Sequence, residues 1–257
     1  MIYLKKNLKN KPLKKVAETD AIFKSVANEN KKADENEAIV RISIDAKAKV
    51  LVWNLDRWWK TRQIIPQIAD DHDTDIKAKL IPYWILDIKK WNTSFYFWKS
   101  KETSDFVVDC IEKWLEENID QYCNITTLAI NLDNWPDQRS NRTQFLKRLV
   151  ETAKRFNIII QLIYYPPYHS KYNPIEHVFW VLERFWSWAI LNTIDTVLKW
   201  ASNMFWKQKK PVSIKLIDKE YNTWITVSKC DMIPILAHIK RSTILPKRSL
   251  FIYPTVF

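Results

Sequence analysis

The chain has 257 residues, of which 47% are hydrophobic, and this is enough to bury the core of one large domain or two small ones. It contains no run of about 18 apolar residues and no secretory signal at its N-terminus, so we expect a soluble, cytoplasmic protein with no membrane partner. Its three cysteines lack the spacing of a zinc site or a disulfide framework.

The charge of the chain is strongly basic. It has 41 lysines and arginines against 29 acids, a net charge of +12. The first 32 residues alone contain nine lysines and three acids, a net charge of +6. Such an excess favours a polyanionic partner. A lysine-rich terminus is equally typical of a solvated tail, so charge alone does not decide between these alternatives.

Strands and helices alternate along the chain. Apolar periodicity predicts strands at 39–45, 94–97, 126–132 and 158–164, with 49–52 either continuing the first strand or pairing back on it. Helical spacing and start signals predict helices at 104–117 with Ser104 as N-cap, at 142–156, at 174–188 with Pro174 in its first turn, and at 194–205. A polar loop is predicted at 66–75.

This order predicts three regions. Residues 1–38 form a basic N-terminal segment that ends in a polar linker at 33–38. Residues 39–206 form an α/β domain, because strands and helices alternate there. Residues 207–257 form a basic C-terminal extension with a less regular pattern. The run at 126–132 is apolar throughout, which is typical of a central strand covered on both faces.

Three acids occupy the ends of predicted elements. Asp45 ends the first strand, Asp133 follows the strand at 126–132, and Glu176 lies in the first turn of a helix. Phosphoryl transfer is helped by hard cations held by carboxylate oxygens, and two such ions can assist the attacking and the leaving oxygen. Taken singly, each acid also suits an ordinary role as a strand-end cap, a turn residue or a helix-dipole partner.

A longer motif makes the interpretation more specific. Residues 164–177 read Tyr-Tyr-Pro-Pro-Tyr-His-Ser-Lys-Tyr-Asn-Pro-Ile-Glu-His. This segment resembles the Pro-Pro-Tyr-Ser-x-x-Leu-Asn-Pro-Ile-Glu signature of DDE-superfamily transposases, which include mariner-like enzymes, and it is most similar to the ISAzo-type bacterial insertion-sequence branch. Similar segments lie at 12–23, 42–45, 69–73, 103–109, 132–134 and 142–145.

The resemblance implies a fold, a reaction and a set of catalytic residues. The fold is ribonuclease-H-like, with a mixed central sheet flanked by helices. Asp45, Asp133 and Glu176 become the catalytic, metal-binding acids, and the cofactor is Mg²⁺ or Mn²⁺, with two ions expected. Water cleaves a DNA strand, and the resulting 3′-hydroxyl attacks target DNA. The implied partners are the DNA of the element ends and of the target, with a homodimer in the DNA complex and a location at the bacterial nucleoid.

Further residues receive supporting roles. Asn134 is expected to orient Asp133 or a metal-bound water, and Asn173 to cap the helix that presents Glu176. The basic residues expected to contact DNA are Arg57, Lys60, Arg62, Arg139, Arg142, His169 and Lys171. For the last four, loop packing or simple solvent exposure is the alternative.

The chain departs from the family pattern at its N-terminus. The family normally begins with a helix-turn-helix region that binds the terminal repeats of the element. Here the sequence opens just before the family-like Pro-Leu-Lys-Lys at 12–15. We therefore expect an N-terminally truncated transposase, an inactive remnant being one alternative.

Glycine usage is the second departure. The chain has no glycine and 14 tryptophans, whereas average usage near 7% would give roughly 18 glycines. We hypothesise that the gene uses a code in which UGA means glycine and that these codons were translated as tryptophan. A UGG codon at Trp135 would contradict this. Tryptophan stands where the family has glycine at Trp53, Trp58, Trp59, Trp84, Trp98, Trp135, Trp180, Trp188 and Trp224.

The choice between glycine and tryptophan changes the prediction for residues 56–62, Asp-Arg-Trp-Trp-Lys-Thr-Arg. With two glycines, this basic loop could bring its backbone close to phosphate. With two tryptophans, it would be a basic and aromatic platform of the kind that stacks bases.

Two other functions stay open. One is a ribonuclease-H-like nuclease without strand transfer, against which the Asn-Pro-Ile-Glu motif argues. The other is a non-enzymatic, basic and aromatic module that binds single-stranded nucleic acid, in which the three acids would be dispensable.

Overall fold

The computed structural model describes residues 18–46, 49–52, 76–99, 101–122, 124–186 and 189–256. The helices in these ranges are α1 (Thr19–Glu35), α2 (Ser104–Asn118), α3 (Thr143–Phe156), α4 (Ile175–Trp186), α5 (Ile194–Ser202) and α6 (Lys229–Leu236). The strands are β1 (Ile39–Ala46), β2 (Val50–Val52), β3 (Ala78–Asp87), β4 (Asn92–Trp98), β5 (Thr127–Leu132), β6 (Ile159–Tyr164), β7 (Ser213–Ile217), β8 (Ile239–Arg241) and β9 (Ser249–Ile252). The predicted loop at 66–75 lies outside the described residues.

One mixed sheet organises the described part of the chain. Its strand order is β7-β4-β3-β1-β5-β6-β9-β8, and β2 pairs with β3 off this path. β1, β3 and β4 are antiparallel neighbours, whereas β5 runs parallel to β1 and β6 runs parallel to β5. This mixed arrangement, flanked by helices, is the α/β architecture that the sequence predicts.

Helices cover both faces of the sheet, which explains why β5 is buried along its whole length. On one face, α2 and α3 pack over Val40, Ile42 and Ile44 of β1. Because successive side chains of a strand point to opposite faces, Ser43 and Asp45 point to the other face. That face is covered by α1 and by the pair α4 and α5. The alternation of β1 therefore assigns Asp45 to the face on which α4 begins.

The N-terminal helix α1 differs from the sequence prediction. The predicted linker at 33–38 is helical as far as Glu35. The helix buries few apolar side chains, and polar contacts also hold it to the sheet: the amide of Asn131 donates to Asn30 at 2.8 Å, and Arg41 lies 2.7 Å from Asp34. These long-range contacts are invisible to local periodicity, so the sequence favours a solvated segment there.

The C-terminal region also has more regular structure than its sequence predicts. β7 pairs with β4 at one edge of the sheet, and β9 pairs with β6 at the other, followed by β8. These strands have three to five residues each, too short to give a clear periodic signal. The pairing of β7 with β4 and of β9 with β6 attaches these short strands to longer ones and stabilises them.

Three smaller predictions need correction. The N-cap of α2 is Thr103, whose side chain accepts the N–H of Phe106, while Ser104 donates to the carbonyl of Asp137 at 2.6 Å. β3 is absent from the prediction because Pro82 interrupts its pattern. The strand at 50–52 pairs with β3 and not with β1.

The tryptophans at family glycine positions fall into distinct environments. Trp84 and Trp98 are fully buried, and Trp98 stacks on Phe106 with the ring centroids 4.6 Å apart. Trp224 is 85% exposed and has φ 65°, in the left-handed region that favours glycine. Trp135 has φ −65°, a value that any residue adopts. Trp53, Trp58, Trp59 and Trp188 lie outside the described residues.

None of the helices in the described ranges combines the length and apolar character needed to cross a bilayer.

Candidate active site

The sheet register brings two of the predicted acids to one edge. β1 and β5 are parallel neighbours, with Ser43 opposite Asn131. Two residues further along, Asp45 on β1 is level with Asp133, which directly follows β5. Carboxyl ends of neighbouring parallel strands are a common place for ligand sites in α/β folds. Asp45 is only 3% exposed, whereas Asp133 is half-buried.

The third acid, Glu176, lies in the first turn of α4, and hydrogen bonds fix this turn to β1. The amide of Asn173 donates to the carbonyl of Ile44 at 3.1 Å, and its side-chain oxygen accepts the hydroxyl of Ser43. The Ser43 hydroxyl in turn accepts the N–H of Ile175 at 3.1 Å. The side-chain cap predicted for Asn173 is therefore made by Ser43, because Asn173 is fully buried against β1.

This network connects the strand of one acid to the helix of another. Ser43 lies two residues before Asp45, and Asn173 lies three residues before Glu176. The backbone carbonyl of Asn173 also accepts the N–H of Glu176 at 3.0 Å. The relative position of Asp45 and Glu176 consequently depends on buried hydrogen bonds and not on a flexible loop.

The three carboxylates influence one another electrostatically. Burial raises the pKa of Asp45 well above its usual range, and the charges of Asp133 and Glu176 raise it further. Burial and the charge of Glu176 raise the pKa of Asp133 to about 6. One side-chain oxygen of Asp133, Oδ1, is buried without a hydrogen-bond partner. The site thus concentrates negative charge that the described residues do not neutralise.

Glu102 is a further acid near this site that sequence reasoning missed. Burial and the charge of Asp137 raise its pKa to about 7, and its charge also contributes to the raised pKa of Asp45. Its Oε1 is buried without a hydrogen-bond partner. Glu102 directly precedes Thr103, the N-cap of α2. This position before the start of a helix is the feature of the sequence that could have identified it.

The donor set of the site suits a hard divalent cation. Asp45, Asp133 and Glu176 offer only carboxylate oxygens, the ligands that Mg²⁺ and Mn²⁺ prefer. The unpartnered Oδ1 of Asp133 is free to accept a cation. Among the described residues, no group of three or more His, Cys, Asp or Glu side chains already has the spacing of a complete metal site. The residues fit such an ion in the kind of their oxygen ligands and in their charge, and not in their present spacing.

The predicted DNA-contacting residues occupy different environments. Arg139 is exposed, and Arg142 is half-buried with its guanidinium 4.0 Å from Asp137. Lys171 is exposed and lies over the ring of Tyr172. His169 is only 3% exposed, and its Nδ1 lies 2.7 Å from the carbonyl oxygen of Pro167, so its ring packs within the loop. Arg57, Lys60 and Arg62 lie outside the described residues.

Helix α1 packs against the loop that contains His169 and Tyr172. The ring of Phe23 makes edge contacts with His169 and Tyr172, at centroid distances of 5.4 and 4.8 Å.

A cleft of about 510 Å³ opens beside Asp133, and Asn134 is one of its walls. Its rim includes the exposed aromatic rings of Trp135 and Tyr168. The cleft is open to solvent beside Asp133, as a site for a large polymer must be.

A match to a protein family identifies the family to which this chain belongs. The family model described as Rhodopirellula transposase DDE domain matches residues 2–254, almost the whole chain. The chain belongs to this DDE transposase family. It is accordingly a DDE transposase catalytic region with a ribonuclease-H-like fold. No curated protein matches the chain.

One solved structure of low sequence identity shares the fold of this DDE region, and others match it less closely. The mariner Mos1 paired-end complex with Mn matches with a TM-score of 0.51 and 12% identity, over 77% of this chain and 57% of that chain. The Mos1 paired-end complex with Mg has a TM-score of 0.48 and 11% identity, over 78% and 58%. The HTLV-2 integrase catalytic core with magnesium has a TM-score of 0.33 and 16% identity, over 63% and 84%. The chain spans less than three fifths of the Mos1 chains.

Proposed function

We propose that this DDE region cleaves DNA strands and joins them to target DNA, with Asp45, Asp133 and Glu176 holding divalent cations. The observation that carries the proposal is the electrostatic coupling of Asp45, Asp133 and Glu176, in which burial and repulsion between the carboxylates raise the pKa of Asp45 and Asp133. Such a cluster destabilises the fold unless a cation is bound. It is therefore expected at a functional site.

The residues of the chain have distinct tasks in this proposal. The three carboxylates hold the cations, which would supply electrostatic stabilisation and alignment for the reacting phosphate. Asn173 and Ser43 keep the helix of Glu176 at a defined position on β1. Asn134 would orient the carboxylate of Asp133 or a water molecule, which its position in the lining of the cleft beside Asp133 supports.

The metal and the partners also belong to the proposal. The Mos1 complexes contain Mn or Mg, and the HTLV-2 integrase core contains magnesium. We infer that this chain uses Mg²⁺ or Mn²⁺, two ions per site, and acts as a homodimer on the DNA of the element ends and of the target. We further propose that residues 39–206 form the catalytic unit and that the protein acts at the bacterial nucleoid.

The acid cluster separates this proposal from one of its two alternatives, and the reaction products separate it from the other. A module that only binds single-stranded nucleic acid gains nothing from buried carboxylates, which repel phosphate. A nuclease without strand transfer would need the same acids, so only the products of the reaction distinguish it. Joining of a DNA 3′-hydroxyl to a second DNA is the decisive activity.

The test is a cleavage and joining assay. DNA carrying the flanks of the gene, incubated with the chain and Mn²⁺ or Mg²⁺, should be nicked. A pre-cleaved oligonucleotide with a 3′-hydroxyl should be joined to a plasmid. Asp45→Asn, Asp133→Asn and Glu176→Gln should each abolish both products and leave DNA binding intact, whereas the exposed control Glu220→Gln should retain them. Cleavage that survives all three changes would refute the proposed site.

A further inference from the structure

A second cleft adjoins the acid site and is lined by cationic side chains. Its volume is about 460 Å³, and its cationic residues are Arg139, Arg241, Lys247 and Arg248. Its other walls are formed by Asn134, Ser140, Asn141 and Pro246, so its lining includes no acid. Three of the four cations come from the C-terminal region, to which the sequence motifs assign no role.

The β8–β9 hairpin builds this cleft. Arg241 ends β8, and Arg248 directly precedes β9, which pairs with β6. The carbonyl of Arg248 accepts the N–H of Tyr164 at 2.9 Å. The guanidinium of Arg241 donates to the carbonyls of Ser140 at 2.6 Å and Pro246 at 3.0 Å. The hairpin is thus attached to the loop that follows Asp133, and its arginines are held at a defined place.

Arg248 is the residue that points to a ligand. Its Nε and one terminal nitrogen are buried, and neither has a hydrogen-bond partner among the described residues. Burial lowers the pKa of Arg248, which the nearby charge of Glu18 partly offsets. Leaving charged donors buried and unsatisfied is costly, and an anionic oxygen would satisfy them. The planar fork of arginine suits the oxygens of a phosphate.

The cleft is continuous with the acid site. Asn134 and Arg139 line both this cleft and the cleft that contains Asp133. A polymer seated at the acids can therefore extend past Arg139 towards Arg248. Nucleic acid carries a phosphate at every nucleotide, so a strand that extends from the acids along this path carries further phosphates past these cations.

We propose that Arg139, Arg241, Lys247 and Arg248 form a subsite that binds a backbone phosphate of the DNA strand beside the phosphate held at the acids. This inference rests on the proposed function and assigns the C-terminal hairpin a part in substrate binding. The subsite positions the strand and carries no sequence specificity, because phosphate contacts do not read bases.

The first experiment measures DNA binding in EDTA by fluorescence anisotropy, with a short labelled duplex and a series of salt concentrations. Arg248→Gln should weaken binding about tenfold and reduce the slope of the salt dependence by about one. Lys247→Gln should act in the same direction. Lys240→Gln is the matched control, because this exposed residue precedes Arg241 on β8 and points to the opposite side. Arg241 is left intact, since it also holds the loop.

The second experiment locates the phosphate. The parent and Arg248→Gln are compared on a set of duplexes in each of which one phosphate is replaced by a neutral methylphosphonate. At one position, the replacement should lower the affinity of the parent but not that of Arg248→Gln. Arg248→Lys should retain part of the affinity. If Arg248→Gln, with an unchanged unfolding midpoint, binds every duplex as the parent does, the proposal is overturned. If inorganic phosphate protects only the parent from unfolding while the methylphosphonate scan is flat, the cleft binds free phosphate and the proposal is equally overturned.

Both measurements exclude divalent cations, so they are independent of cleavage. A parent chain that binds DNA through Arg248 but never cleaves would contradict the proposed function and support the subsite. If the Arg248→Gln variant binds DNA with the same affinity as the parent and cleaves it equally well, the subsite alone is contradicted.

Discussion

Substitution of Asp133 by asparagine should stabilise the metal-free protein. The folded environment raises the pKa of Asp133 from 3.8 to about 6. At 1.36 kcal/mol per pKa unit, this difference corresponds to about 3 kcal/mol of destabilisation at neutral pH. An amide in the same place has unsatisfied polar atoms that cost about 1 kcal/mol, so we expect a net gain of about 2 kcal/mol.

The gain should depend on pH in a defined direction. Because the pKa of Asp133 is higher in the folded state, the folded protein binds the proton more tightly than the unfolded chain does. Between about pH 4 and pH 6, the free energy of unfolding therefore falls as pH rises, and the full penalty is present above pH 6. Below about pH 4 both states are protonated at this residue, and the advantage of Asp133→Asn should disappear.

Urea denaturation in EDTA at pH 7.5 and again near pH 4 measures both effects, with Glu220→Gln as the exposed control. Adding Mg²⁺ or Mn²⁺ should raise the urea midpoint of the parent, because a cation offsets the clustered charge, and should raise that of Asp133→Asn far less. A variant less stable than the parent at pH 7.5, or an advantage of equal size near pH 4, would refute the idea that charge at this position opposes folding.

Three further predictions concern positioning, packing and ion pairing. Asn173→Ala should slow single-turnover DNA cleavage at least tenfold while DNA affinity is unchanged, because it removes two of the hydrogen bonds that position the start of α4 on β1; a rate equal to the parent rate would exclude the positioning role. Trp224→Gly should raise the free energy of unfolding by about 1 kcal/mol in urea, since it relieves positive φ at an exposed side chain, whereas Trp84→Gly should lower it by at least about 3 kcal/mol. Arg148→Ala should cost about 3 kcal/mol by the same measurement, because it removes the cation that Asp105, Asp109 and Glu112 of α2 share; a loss no larger than that of the exposed Lys154→Ala would contradict this.

The Trp224 prediction bears on the translation hypothesis. Trp91, with φ 55°, is a second tryptophan in the region that favours glycine. Glycine at these two positions is what the backbone prefers, and UGA codons there would agree with recoding. The buried Trp84 and Trp98 contact neighbouring aromatic rings, but the Nε1 of Trp84 has no hydrogen-bond partner within the described part of the chain, so their codons, and not their packing, are the decisive observation.

Local pattern was sufficient for much of the central region. The helix predicted at 142–156 is α3 at Thr143–Phe156, and the strand predicted at 126–132 is β5 at Thr127–Leu132. The amphipathic spacing of α3 and the apolar run of β5 are encoded within a few residues. The C-terminus of α3 is formed by Asn157 with φ 51°, which takes the left-handed conformation in place of glycine.

By itself, the sequence determined most elements of the central region, though not β3, and, through its resemblance to DDE transposases, the three acids proposed for the site. Only the tertiary structure decided how they meet: the register of β1 on β5, the contact of Ser43 and Asn173, and the hairpin that brings Arg248 next to the site. The physical reason is the distance along the sequence between the residues that make contact. Periodicity reports contacts between residues close in sequence, whereas Ser43 and Asn173 are 130 residues apart and meet only because a long-range sheet forms.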